Sequence, residues 1–435
     1  MKINALLDVN VVAHETEDEV AVLLELEAPA ALADATRPQA SLQVVLDRSG
    51  SMGGAPLEGA KKAIVALVRR LEPMDNFGLV TFDDSAQVVV PAGPLADKDA
   101  VITQIQGVNA GGTTDLSAGY IRGLREIRRV MSGQPGRGSS GTVLVISDGH
   151  VNAGIKDADE FASVTSKAYA DSIVTSTLGY GRGYDETLLT AIARSGSGNH
   201  VFADNPDAAG AAIAGEVDGL LNKVVQALSL TVKFEPAVQF LRLYNDLPAQ
   251  QIGEGQVMIE LGDLYSEEAR KVQLKLKVPA LAALGLARVA TLEISYVELP
   301  GLVEQVVSLP ITVNVVPGDE AAGRVAHPSV HSEVLFQEAQ DVRRQASEAF
   351  EHGRFDEGQR LIGETKIRLA RSLGVAPEKL KPEIQVELDD VARMEQLGHD
   401  SGPMGAPMMS KMSRDSYHRM NRKRGRRTHP EQDGR

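Results

Sequence analysis

The run Val44-Val45-Leu46-Asp47-Arg48-Ser49-Gly50-Ser51-Met52 decides how the rest of this 435-residue chain is read. An apolar strand ends in an acid, and two hydroxyls follow at alternate positions in the pattern D-x-S-x-S. Gly50, Gly53 and Gly54 loosen the turn before a helix opens near Pro56. One carboxylate and two hydroxyls on a single turn are hard oxygen ligands, which suit Mg²⁺, Mn²⁺ or Ca²⁺ rather than zinc or copper. Taken alone the pattern is weak, because Ser, Asp and Gly fill turns and helix N-caps everywhere.

Two further stretches strengthen it. Gly111-Gly112-Thr113-Thr114-Asp115-Leu116 is a glycine turn that carries hydroxyls into a helix starting near Leu116. Thr142-Val143-Leu144-Val145-Ile146-Ser147-Asp148-Gly149 is a second apolar strand ending in an acid. Loops at the carboxyl ends of adjacent parallel strands meet in one crevice of an open α/β sheet. Three such loops, each bearing oxygens, therefore converge without any further coincidence.

With these three motifs in order, the chain resembles the von Willebrand factor A family of bacterial type. The resemblance covers roughly residues 41 to 205 and includes Thr177-Leu178-Gly179-Tyr180-Gly181 followed by Tyr184-Asp185-Glu186. It implies a metal-ion-dependent adhesion site made by Asp47, Ser49 and Ser51, then Thr114, then Asp148. Thr114 is preferred to Thr113 because the family's threonine stands two residues before the apolar residue that opens the helix, here Leu116. The resemblance also implies a protein partner, and an AAA-type ATPase is one kind of partner found in the family.

The residues support a related reading by themselves. Two carboxylates and three hydroxyls leave a divalent cation with a position open to water, and an acidic residue of another molecule can take that position. A strand-end acid such as Asp47 is expected on an exposed rim, so that its loss would spare the fold.

Composition narrows the setting. With 43% hydrophobic residues the chain can build two or three cores, and with no cysteine it has no disulfide, thiol chemistry or cysteine-based zinc site. No stretch approaches the eighteen or so apolar residues of a membrane span. The first residues do not read as a signal segment, so a cytoplasmic location is expected. The net charge is −14, but residues 401–435 hold nine Lys or Arg against three acids; that +6 leaves −20 on the other 400 residues. An acidic body of this kind is a poor nucleic-acid binder.

Periodicity gives the organisation. Residues 1–37 read as a hairpin of two strands plus a linker. From Leu42 to about Asn222 strands at 42–47, 77–83, 86–90, 142–147, 172–180 and 199–203 alternate with helices at 56–71, 97–106, 116–132, 157–171, 185–194 and 207–227. Alternation with near-continuous apolar strands predicts a doubly wound, mostly parallel sheet. The two-residue Asp84-Ser85 link makes 86–90 its one antiparallel edge strand. Residues 228–317 switch to a period of two, as in Lys271-Val272-Gln273-Leu274-Lys275-Leu276-Lys277-Val278. They are expected to close a β-sandwich with the N-terminal strands, because an isolated hairpin is marginal. The α/β domain, 38–227, would then be inserted in that sandwich. Residues 325–398 have helical period, and 399–435, rich in Met, Ser, Gly and Arg, read as a disordered basic tail.

Three other features invite function. His150 beside Ser49 and Ser51 hints at a metal-assisted or Ser-His-Asp hydrolase, but no G-x-S-x-G elbow accompanies it. Gly179-Tyr180-Gly181-Arg182-Gly183 lacks the third spaced glycine of a dinucleotide loop. Arg422-Lys423-Arg424-Gly425-Arg426-Arg427 suits nucleic acid or an anionic surface, but Tyr417 and His418 are too few for a stacking platform. The favoured expectation is a metal-dependent protein-interaction module and not an enzyme.

Overall fold

The computed structural model describes residues 1–31, 39–132, 140–148, 151–180, 184–203, 205, 209–210, 213 and 222–421. The chain divides into two compact units, one of Ala31–Lys223 with Leu299–Leu302, the other of Met1–Ala30, Val224–Glu298 and Val303–Arg435. Among the described residues no helix is long and apolar enough to cross a membrane.

In the first unit, strands β4 (Ser41–Asp47), β5 (Asn76–Phe82), β6 (Ala86–Pro94), β7 (Gly141–Ser147), β8 (Ile173–Tyr180) and β9 (Ser197–Ala203) form a sheet in the order β6-β5-β4-β7-β8-β9. Every neighbouring pair is parallel except β5 with β6. Every residue of β4 and β5 is buried, which explains why both read as unbroken apolar runs. Alternate side chains serve opposite cores. Val44, Leu46, Leu144 and Ile146 meet α1 (Ala55–Arg70) and α2 (Lys98–Gln106). Val45, Phe82, Val143 and Val145 meet α3 (Leu116–Ser132), α4 (Ala158–Ala170) and α5 (Glu186–Ser195). Helix α3 lies close to the sheet because Gly119 and Gly123 face it; a Cβ at either would stand 2.6 Å from Phe82 or Val45.

The helix expected over 207–227 is too long. Residues 209, 210 and 213 are helical, but from Lys223 the chain is strand β10 (Lys223–Phe234). Its pairing with β15 (Gly285–Glu298) shifts register between Gln226 and Ser229, where Ala227 sits at φ 53°. This bulge brings both Val225 and Leu228 into the core, and the alanine-rich sequence hides it.

The second unit holds two further sheets. One has the order β1-β3-β14-β11, with β1 (Lys2–Leu7), β3 (Asp18–Glu27), β11 (Gln239–Leu243) and β14 (Ala269–Val278). The other has the order β12-β13-β10-β15-β16-β2, adding β2 (Val11–Ala13), β12 (Ala249–Gly253), β13 (Gln256–Tyr265) and β16 (Val303–Val316). Val22, Leu24 and Leu274 of one sheet and Leu230, Leu292 and Val313 of the other share one apolar core. The N-terminal segment is more divided than the two-strand hairpin reading allows. Asp8 Oδ1 accepts from the Val9 and Ala21 N–H groups; there the chain turns out of the first sheet, and β2 joins the second parallel to β16.

Helices α6 (Gly318–Ala322), α7 (Pro328–Glu351), α8 (Phe355–Val375), α9 (Lys381–Ser401) and α10 (Ala406–Asn421) complete this unit. The disordered tail expected from 399 onward is contradicted as far as Asn421. Ala406, Met409, Ser410, Ser413, Ser416 and Tyr417 recur at helical spacing and are buried. Met409 and Met412 pack with Phe336, Phe350 and Leu361. The segment looks polar in composition because its buried face is largely serine, and those serines are hydrogen-bonded. The basic run 422–427 lies outside the described residues.

Candidate metal-binding site

Asp47 ends β4 at the centre of the first sheet, with β5 on one side and β7 on the other. Contrary to the rim expected from its strand-end position, it is 0% exposed. Both of its oxygens are bonded. Oδ1 accepts the Ser49 N–H at 2.8 Å and Oδ2 accepts the Ser147 hydroxyl at 2.6 Å. Ser147, the last residue of β7, is the positioning residue that motif reading passed over. Its place in the S-D-G triplet, one strand from Asp47, was the available signal.

From Asp47 a chain of oxygens runs outward. Ser49 Oγ lies 3.1 Å from Ser51 Oγ, and the Ser51 hydroxyl donates to Asp148 Oδ1 at 2.9 Å. Four of the five expected ligands are therefore linked, though Asp148 stands 97 residues from Ser51. Thr114 belongs to a loop laced to both of the others by backbone bonds. The Gly50 N–H donates to Gly112 O (3.1 Å) and the Gly111 N–H to Arg48 O (2.8 Å), while the Asn152 N–H donates to Thr114 O (2.9 Å). Thr114 is buried and Thr113 is exposed. Asp115, next to it, caps α3, its Oδ1 accepting from Ser117 Oγ and the Ala118 N–H.

Burial raises both acids of this pair. Burial pushes the Asp47 carboxyl above its ordinary value, against the lowering effect of its Ser147 and Ser49 bonds; the Asp83 charge raises it a little further. Asp148 is pushed up to about 6, chiefly by burial and then by the charge of Asp47, while its Ser51 bond lowers it. Carboxylate and hydroxyl oxygens about 3 Å apart, with two acids disfavoured as anions, fit a hard divalent cation, which would replace the hydroxyl-to-carboxylate bonds with coordination. Among the described residues no group of three or more His, Cys, Asp or Glu is arranged to hold a metal ion. Three of the five donors expected here are hydroxyls. His150, Arg182 and Gly183 lie outside the described residues.

Residues 42–211 match the model of the von Willebrand factor type A domain. This chain carries a von Willebrand factor type A domain. Domains of this family generally mediate metal-dependent protein–protein interactions. The chain is 29% identical over 252 residues to the uncharacterized protein sll0103 of Synechocystis sp., covering 55% of this chain and 58% of that one. It is 26% identical over 202 residues to the uncharacterized protein YfbK of Escherichia coli, covering 46% and 34%. The chain thus spans about a third to three-fifths of the length of these relatives. A structure titled von Willebrand factor type A from Catenulispora acidiphila superposes with a TM-score of 0.69 at 15% identity, covering 88% of this chain and 89% of that one. The fold reading of a mostly parallel sheet with additional antiparallel sheets and a helical C-terminal region therefore stands.

Proposed function

We propose that the von Willebrand A domain of this chain is a metal-dependent protein-interaction site. A divalent cation, Mg²⁺ or else Mn²⁺ or Ca²⁺, is held by Asp47, Ser49, Ser51, Thr114 and Asp148 and accepts a carboxylate from a protein partner. The observation that carries this reading is the bonded run Ser49–Ser51–Asp148 above the buried Asp47. Two sequence-distant loops bring side-chain oxygens together, the loop of Thr114 is tied to both by backbone bonds, and the two acids are raised in pKa. Such a cation supplies charge and one exchangeable coordination position. Ser147 and the Ser49 N–H hold Asp47 in place, so its charge acts on the cation from inside the fold.

Calorimetric titration of the full chain with Mg²⁺ and Mn²⁺ tests the site. One cation per chain is expected, lost in Asp47→Ala and in Asp148→Ala. Unchanged affinity in both variants would refute the assignment.

A further inference from the structure

Arg48, the variable position of D-x-S-x-S, is fixed more firmly than a variable loop residue needs to be. Its N–H donates to Phe82 O at 2.8 Å, and its own carbonyl accepts the Gly111 N–H at 2.8 Å. Its side chain, 26% exposed, reaches the end of the neighbouring strand, where Nη2 binds Asp83 Oδ2 at 2.7 Å. Asp83 is 6% exposed and locked in turn. Its Oδ1 accepts the Ser85 N–H at 3.1 Å, and its carbonyl accepts the Asp115 N–H at 2.7 Å. Gly112, at φ 72°, packs on it so closely that a Cβ would stand 2.7 Å from the Asp83 Cβ. The Arg48–Asp83 pair is therefore built into the wall between the first two motif loops.

The charges explain why both members are there. Asp47, Asp83 and Asp148 together carry three negative charges, and a divalent cation leaves one of them over. Asp83 stands beside the site: it follows Phe82, the register partner of Asp47 across β4 and β5, and its carbonyl holds the Asp115 N–H next to Thr114. Asp115 is already engaged at the positive end of α3. We propose that Arg48 is a specificity-determining residue: by neutralising Asp83 it keeps the cation-loaded site from repelling the acidic residue of the partner. This rests on the carboxylate-accepting function proposed above. Without the guanidinium, the Asp83 charge would add to those of Asp47 and Asp148. The cation would then be held more tightly and an incoming carboxylate less tightly. Opposite signs of that kind follow from charge, whereas loosened packing would weaken both.

The test uses the full chain as wild type, Arg48→Gln, Asp83→Asn and the double variant. Mg²⁺ affinity is measured by calorimetry. Acetate, as the carboxylate probe, is then titrated at saturating Mg²⁺ and followed by NMR shifts. Arg48→Gln is expected to bind Mg²⁺ about 3- to 10-fold more tightly and acetate weaker by a similar factor, the scale of one unit charge across a partly solvated gap. Asp83→Asn should shift both in the reverse sense, and the double variant should return both to within about twofold of wild type. If Arg48→Gln lowers both affinities, or binds acetate as wild type does, or if the double variant fails to restore them, the role of Arg48 is overturned. If wild type takes Mg²⁺ but no acetate, the carboxylate-accepting function fails, and this proposal falls with it.

Discussion

Two carboxylate pairs in this chain, each with one fully buried member, have opposite chemistry. In the helical region Glu387, 0% exposed, accepts from Arg343 Nη1 at 2.8 Å, and Asp390 takes Arg343 Nη2 at 2.6 Å. The Ser416 hydroxyl of α10 adds a bond to Glu387 at 2.7 Å. At the head of the first sheet Asp47 and Asp148 are bonded by hydroxyls and an amide N–H instead. The guanidinium compensates the first cluster within the chain, and such a cluster fastens helices together. The second stays costly as anions, shown by the raised Asp47 and Asp148 carboxyls. A fold carries such a cost where something outside the chain relieves it.

The largest effect should come from breaking the compensated cluster. Arg343→Ala removes the guanidinium that binds buried Glu387, and loss of one partner of a buried pair costs about 3–5 kcal/mol. Urea unfolding followed by circular dichroism measures this. A change below about 1 kcal/mol would mean that the two clusters do not differ as argued.

The open cluster should respond to metal. Mg²⁺ at a hundred times its dissociation constant stabilises the native state by about 2.7 kcal/mol through linkage. That increment should vanish with EDTA and in Asp47→Ala. The variant's cation-free stability should change less than in Arg343→Ala, because the substitution also removes a buried anion. Melting curves with and without Mg²⁺ separate the two contributions.

The pH dependence should differ in sign between the cation-free and loaded forms. Asp148 titrates at about 6 in the folded chain, above the ordinary carboxylate value of 3.8. In cation-free protein its contribution to stability is present below about pH 4 and is lost as pH rises through about 6. Loading reverses this. The cation needs the carboxylate, so Mg²⁺ affinity should fall below pH 6, by up to about tenfold per pH unit for one displaced proton. Melting temperatures with and without Mg²⁺ should therefore converge from pH 7 to pH 5; a constant gap would remove Asp148 from the ligand set.

Much of this architecture was legible in the sequence where one physical signal dominated. Strands buried on both faces show as apolar runs such as Val44-Val45-Leu46, and parallel strand ends converge by topology, which joins the three loops from pattern alone. Other features depended on distant pairing. The start of β10 at Lys223 depends on β15 and a bulge at Ala227. The burial of Asp47 depends on Ser147, a hundred residues away. The Arg48–Asp83 pair depends on the neighbouring strand. The ordering of 399–421 depends on serines that bond to other helices, Ser410 to the Ser347 carbonyl and Ser416 to the Glu387 carboxylate, which a reading of polarity takes for solvent-facing residues.

That last misreading can be tested by a small, specific effect. Helix α7 uses one device twice. Ser332 and Ser372 exchange bonds between α7 and α8, the Ser372 hydroxyl donating to Ser332 O at 2.9 Å. Ser347 and Ser410 do the same between α7 and α10, each hydroxyl donating to the other's carbonyl at 3.0 Å. Ser410→Ala removes one donated bond and leaves its reciprocal, so the expected cost is about 0.5–1.5 kcal/mol. Ser372→Ala should cost about the same, because the geometry is alike. Deleting 406–435 should expose Met394 and Phe350 and lower the melting point of the helical region. Equal melting of Ser410→Ala and wild type, with Ser372→Ala destabilised, would mean that α10 is not part of the folded core in solution.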